Sequence, residues 1–118
     1  MDDKRGAEFR ELLQEYRERV LQAKRRGDED LTDLAAARSA ATADDEHDPE
    51  GATLSEEWAR IAGLDAEAEA ELLAIDRALA RLDDGTYGVC ADCGKRIPVA
   101  RMRVRPTATK CVACASKS

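Results

Sequence analysis

Cys90, Cys93, Cys111 and Cys114 stand in the pattern C-x2-C-x17-C-x2-C. Each C-x2-C pair turns two thiolates toward one point, and two such pairs complete a tetrahedral S4 site suited to a single Zn2+. Gly94, directly after the second cysteine, permits the tight turn that such a knuckle needs. Few apolar side chains lie between the pairs, Ile97, Met102 and Val104 among them. They cannot stabilise a module of this size, so the metal is expected to supply much of its folding free energy. Four cysteines close the coordination shell, which makes the zinc structural and leaves no open position for water. A thioredoxin-like redox pair is disfavoured, because two pairs are present and no strand–helix–strand pattern surrounds either. No nucleophile–base pair can be assembled elsewhere, so the chain is not expected to be an enzyme. No apolar run is long enough for a membrane span and no signal-peptide pattern is present, which points to the cytoplasm and reduced thiols.

Charge is segregated along the chain. Residues 44–84 hold three bases and fourteen acids, whereas residues 85–118 hold seven bases and one acid. An acidic part joined to a basic end implies two surfaces with different partners, and argues against a protein lying along DNA by its whole length. The run Arg101-Met-Arg-Val-Arg105 alternates base and apolar residue. An extended segment would show Arg101, Arg103 and Arg105 on one face, with Lys95, Arg96 and Lys110 beside them. That face suits phosphate or an acidic protein surface; a solvated rim around the zinc core is the plain alternative.

The elements that must position these residues are helical. Ala, Glu, Lys, Leu and Arg supply 64 of the 118 residues, and aromatics are few. Leu54, Trp58, Ile61, Leu64, Ala68, Leu72, Ile75, Leu79 and Leu82 recur with a mean step of 3.5, one stripe for a helical partner. Thr53 and Glu56 resemble a capping box that starts this helix near residue 54, and Gly85 suits its C-terminal cap. Its twenty-nine residues would span roughly 43 Å. Phe9, Leu12, Tyr16, Val20, Ala23, Gly27, Leu31 and Leu34 form the matching stripe. Gly27 is expected to kink or break the first helix, with a second stretch from about Leu31 to Ala41. Two such helices joined by residues 42–53 fold back as an antiparallel coiled-coil hairpin over residues 1–84, followed by the zinc module at 85–118. Pairing of one stripe with a second copy is the alternative to this monomer. The hairpin reading puts "DDEHDPEGA", residues 44–52, at the tip, far from the cysteines, which disfavours His47 as a ligand.

The segment "YGVCADCGKRIPVARMRVRPTATKCVAC" resembles the DksA/TraR-type zinc finger, including Tyr87-Gly88, Ile97-Pro98 and Arg105-Pro106-Thr107-Ala108. The resemblance is strong over about residues 72–115. It implies a transcription regulator that binds RNA polymerase directly rather than a promoter, so no sequence-specific DNA binding is expected. Family members insert the hairpin through the enzyme's secondary channel and hold on with the zinc module. An Asp-x-x-Asp-x-Ala tip then acts near the catalytic centre. Counted back from Cys90 without gaps, the two aspartates fall on His47 and Glu50 and the alanine on Ala52; a shift of one residue offers Asp48. The implied tip is therefore His47, Asp48, Glu50 and Ala52, acidic but altered. Binding of the alarmone ppGpp uses an arginine matched by Arg105 and two lysines whose places hold Ala74 and Ala115, so that site is expected to be weak. Two other readings stay open: a zinc ribbon that binds nucleic acid directly through its basic end, and a redox-sensitive zinc adaptor.

Overall fold

The computed structural model describes residues 3–44 and 50–117, with side chains described for residues 3–40 and 55–117. Four helices follow in order: α1 at Asp3–Asp44, α2 at Glu50–Asp84, α3 at Val99–Val104 and α4 at Val112–Ser116. Among the described residues, β structure is limited to one antiparallel bridge between Val89 and Arg96. No described helix is long and apolar enough to cross a membrane. The fold is a long antiparallel helical hairpin followed by a small C4 module. The chain divides into two compact units, Met1–Glu18 with Leu72–Ser118, and Arg19–Glu71.

In the first unit the helix ends and the cysteine module share one core. Phe9, Leu13, Ile75, Ala78, Tyr87, Ile97 and Met102 are buried together with Cys90. The Phe9 and Tyr87 rings meet at 5.3 Å with a 51° tilt, a geometry aromatic pairs favour. Arg10 pairs with Asp83 at 2.6 Å and Arg17 with Asp76 at 2.9 Å, an antiparallel match. Arg103 reaches Glu8 at 3.2 Å, tying α3 to the start of α1. α2 ends as expected: Gly85 adopts φ 82°, and the Arg81 carbonyl accepts the N–H groups of Thr86 and Tyr87.

In the second unit α1 and α2 again run antiparallel, with Gly27 facing the buried Ile61. The seam differs from the apolar stripe in three places. In the first unit Leu13 rather than Leu12 is fully buried; in the second Lys24 rather than Ala23 turns inward, and Leu64 stays 52% exposed while Asp65 is half-buried. Lys24 Nζ lies 3.3 Å from both Asp28 and Asp65 and 3.7 Å from Glu69. Asp65 Oδ1 is fully buried, and its contact to Lys24 is an ion pair rather than an aligned hydrogen bond. A polar layer thus occupies a seam position that hydrophobic periodicity assigns to an apolar side chain.

Two expected boundaries are corrected. α1 runs unbroken through Gly27 and absorbs the stretch 31–41, because one glycine costs only about 1 kcal/mol in a helix that packing sustains. α2 begins at Glu50 rather than near residue 54. Thr53 and Glu56 therefore lie inside α2 rather than at its start. Residues 45–49, between the two helices, lie outside the described residues.

Candidate metal centre

The first cysteine pair sits in a small turn closed on both sides. Val89 and Arg96 bridge, Cys90 N–H donates to the Lys95 carbonyl at 2.8 Å, and Ile97 N–H donates to the Gly88 carbonyl at 2.7 Å. Gly94, at φ 74°, lets its N–H return to the Cys90 carbonyl at 3.0 Å. A side chain there would be strained in the left-handed region, which is the requirement read from sequence. The second pair spans the start of α4: Cys111 is its N-cap residue, and Cys114 lies one turn on.

All four sulfurs lie within 4.8 Å of one another. Cys93 Sγ and Cys111 Sγ, one from each pair, are 3.9 Å apart. A tetrahedron with Zn–S bonds of about 2.3 Å has sulfur–sulfur edges of about 3.8 Å, so the donor set fits Zn2+ in kind and spacing. The backbone N–H groups of Cys93 and Cys111 aim at the Cys90 sulfur and hold its thiol down to about 6. Cys111 is also lowered, chiefly by the N–H of Cys114, whereas hydrogen bonding to the Cys111 and Cys90 sulfurs pushes Cys114 up to about 12. Four sulfurs this close oppose one another's ionisation, and a bound divalent cation reverses that balance.

A family model described as "Prokaryotic dksA/traR C4-type zinc finger" matches residues 85–118. A Caulobacter vibrioides protein named RNA polymerase-binding transcription factor DksA is 53% identical over 38 residues, covering 32% of this chain and 27% of the relative. An Escherichia coli K12 protein of the same name is 28% identical over 115 residues, covering 97% of this chain and 71% of the relative. The solved structure of transcription factor DksA2 from Pseudomonas aeruginosa superposes with a TM-score of 0.83 at 28% identity, covering 98% of this chain and 84% of that one. Residues 85–118 thus match the DksA/TraR-type C4 zinc finger, and the chain as a whole is similar to proteins named DksA. The match to the Caulobacter relative spans only about a quarter of that protein, whereas the DksA2 likeness runs through hairpin and finger alike.

Within this DksA/TraR finger the basic run is not extended. Val99–Val104 is the helix α3, opened by Pro98 with its pre-set φ of −53° and anchored by the buried Met102. Helical spacing turns Arg103 well away from Arg101, so the three arginines do not share one face. Arg101 Nε donates to the Lys110 carbonyl at 3.2 Å, Arg103 pairs with Glu8, and Arg105 stands exposed after the helix. Val104, two residues from Met102 and so turned outward, is 82% exposed rather than part of the core. Lys110 pairs with Asp92 at 3.2 Å. Of the implied tip residues, His47 and Asp48 lie outside the described residues. Glu50 and Ala52 fall in the first turn of α2, and their side chains are not described. Sequence reasoning missed the anchoring roles of Phe9, Tyr87 and Glu8, and the charged layer at Lys24. The Tyr87-Gly88 pair within the family resemblance was the one available signal.

Proposed function

We propose that the chain is a transcription regulator that binds RNA polymerase directly. The hairpin enters the secondary channel, the end around residues 45–52 addresses the catalytic region, and the finger docks outside. The observation that supports this reading most is the likeness to DksA2 across nearly the whole chain, joined to a sulfur cluster of zinc dimensions. Cys90, Cys93, Cys111 and Cys114 would hold one Zn2+, whose role is to cross-link the finger. The chain acts as a monomer, since its two helical stripes satisfy one another within each unit. With Ala74 and Ala115 in place of two basic partners, regulation by ppGpp through that site is not part of the proposal. Direct nucleic-acid binding through the basic end is less well supported, because Arg101 and Lys110 are engaged within the finger and Arg103 with Glu8 of α1.

The test is capture of core RNA polymerase by the intact, zinc-loaded chain, followed by in vitro transcription with His47→Ala and Glu50→Ala. Binding with an altered initiation effect in the variants supports the reading. A zinc-loaded chain that captures no polymerase overturns it, and tip variants that bind and act like wild type reduce the tip to a spacer.

A further inference from the structure

We infer that Tyr87 and Arg101 are positioning residues for the metal site: Tyr87 ties the stretch leading into Cys111 to the Cys90–Cys93 side, and Arg101 fixes the peptide that enters Cys111. The inference rests on reading the cysteine cluster as a zinc site. Seventeen residues separate Cys93 from Cys111, and closing that loop has an entropic cost that the ion must otherwise meet alone. Three links outside the sulfurs already close it, and a fourth, inside the loop, fixes the residue before Cys111. Tyr87 Oη donates to the Pro106 carbonyl at 2.7 Å, and Ala91 N–H donates to the Thr109 carbonyl at 2.8 Å. Arg101 Nε donates to the Lys110 carbonyl at 3.2 Å, and Lys110 Nζ pairs with Asp92 at 3.2 Å. Every one of them grips the short stretch that leads into Cys111.

Two of the links are side-chain hydrogen bonds with little freedom to move. The Tyr87 ring is buried against Phe9, so its hydroxyl has a fixed place from which to hold Pro106. The Lys110 carbonyl that Arg101 grips belongs to the same planar peptide as the Cys111 N–H. Arg101 therefore sets the plane of the peptide that leads into the Cys111 ligand. This is a different task from the partner contact that its place in a basic run implies.

The test is zinc affinity of the full chain, read by competition with a chromophoric chelator, and Co2+ uptake read by its thiolate absorption. Tyr87→Phe keeps the ring against Phe9 and removes only the donor to Pro106; Arg101→Ala removes the donor to Lys110. Groups that orient metal ligands cost 10–100-fold in affinity when lost, and a link one step further out should cost about tenfold. Arg105→Ala, exposed beyond the same helix, is the control and should bind as wild type does. Helical content is matched in excess zinc, which separates lost preorganisation from lost fold. Tenfold weaker binding in Tyr87→Phe and Arg101→Ala, with an unchanged tetrahedral Co2+ spectrum at saturation, supports the assignment. Wild-type affinity in both variants overturns it while leaving the zinc reading intact. A wild-type chain that takes up neither ion overturns both.

Discussion

Replacing Gly27 by alanine should stabilise α1. Gly27 lies inside a continuous helix, and a Cβ placed there meets only Ile61 Cγ2, at 3.8 Å, an ordinary van der Waals contact. The substitution therefore meets no steric objection and removes the backbone-entropy penalty of a helical glycine, about 1 kcal/mol. A gain of that size is roughly a fivefold shift in a local opening equilibrium. Native-state amide hydrogen exchange over residues 23–31 should accordingly slow about fivefold, because opening of that turn exposes those amides. Faster exchange, or lost helical ellipticity, would mean that Gly27 serves as a hinge with a non-helical backbone. That result would refute the continuous helix on which the seam of the second unit depends.

Lys24→Met should lower the thermal midpoint, because it leaves the buried Asp65 oxygen facing an apolar side chain. Adding Asp65→Leu should recover most of that loss; a double variant less stable than the single one would show that the charged layer is not a pair. Tyr87 is pushed up to about 12, chiefly by burial. The neutral phenol is thus the form that favours folding: its contribution is fully present below about pH 10, the unfolded value, and lost as pH rises through 12. The difference in ultraviolet titration between wild type and Tyr87→Phe should place its phenolate band near pH 12, and a band complete by pH 10 would contradict the buried hydroxyl.

Some features are legible from local chemistry alone. The C-x2-C spacing requires sulfurs that converge, and Gly94 and Gly85 stand where left-handed turns are needed; each involves only a few neighbouring residues. The helical stripes are nearly as legible, since a period of 3.5 marks a paired helix whatever its partner. Their phase is not. Lys24 and Asp65 hold seam places because each satisfies the other across the pair, and a scan for apolar residues passes over both. The basic run misleads for a related reason: alternation suggests a strand, but a proline at its start and one buried methionine are enough to wind it into α3.

By itself the sequence determined the composition of the molecule, two helical arms and a four-sulfur module, because periodicity and ligand spacing are properties of short stretches. Only the tertiary structure decided that the finger is built into the hairpin's base, through Phe9 on Tyr87 and Glu8 on Arg103. It also decided that Arg101 turns inward to Lys110. Those contacts join residues between 9 and 95 positions apart, and no local pattern records which distant group a side chain will meet.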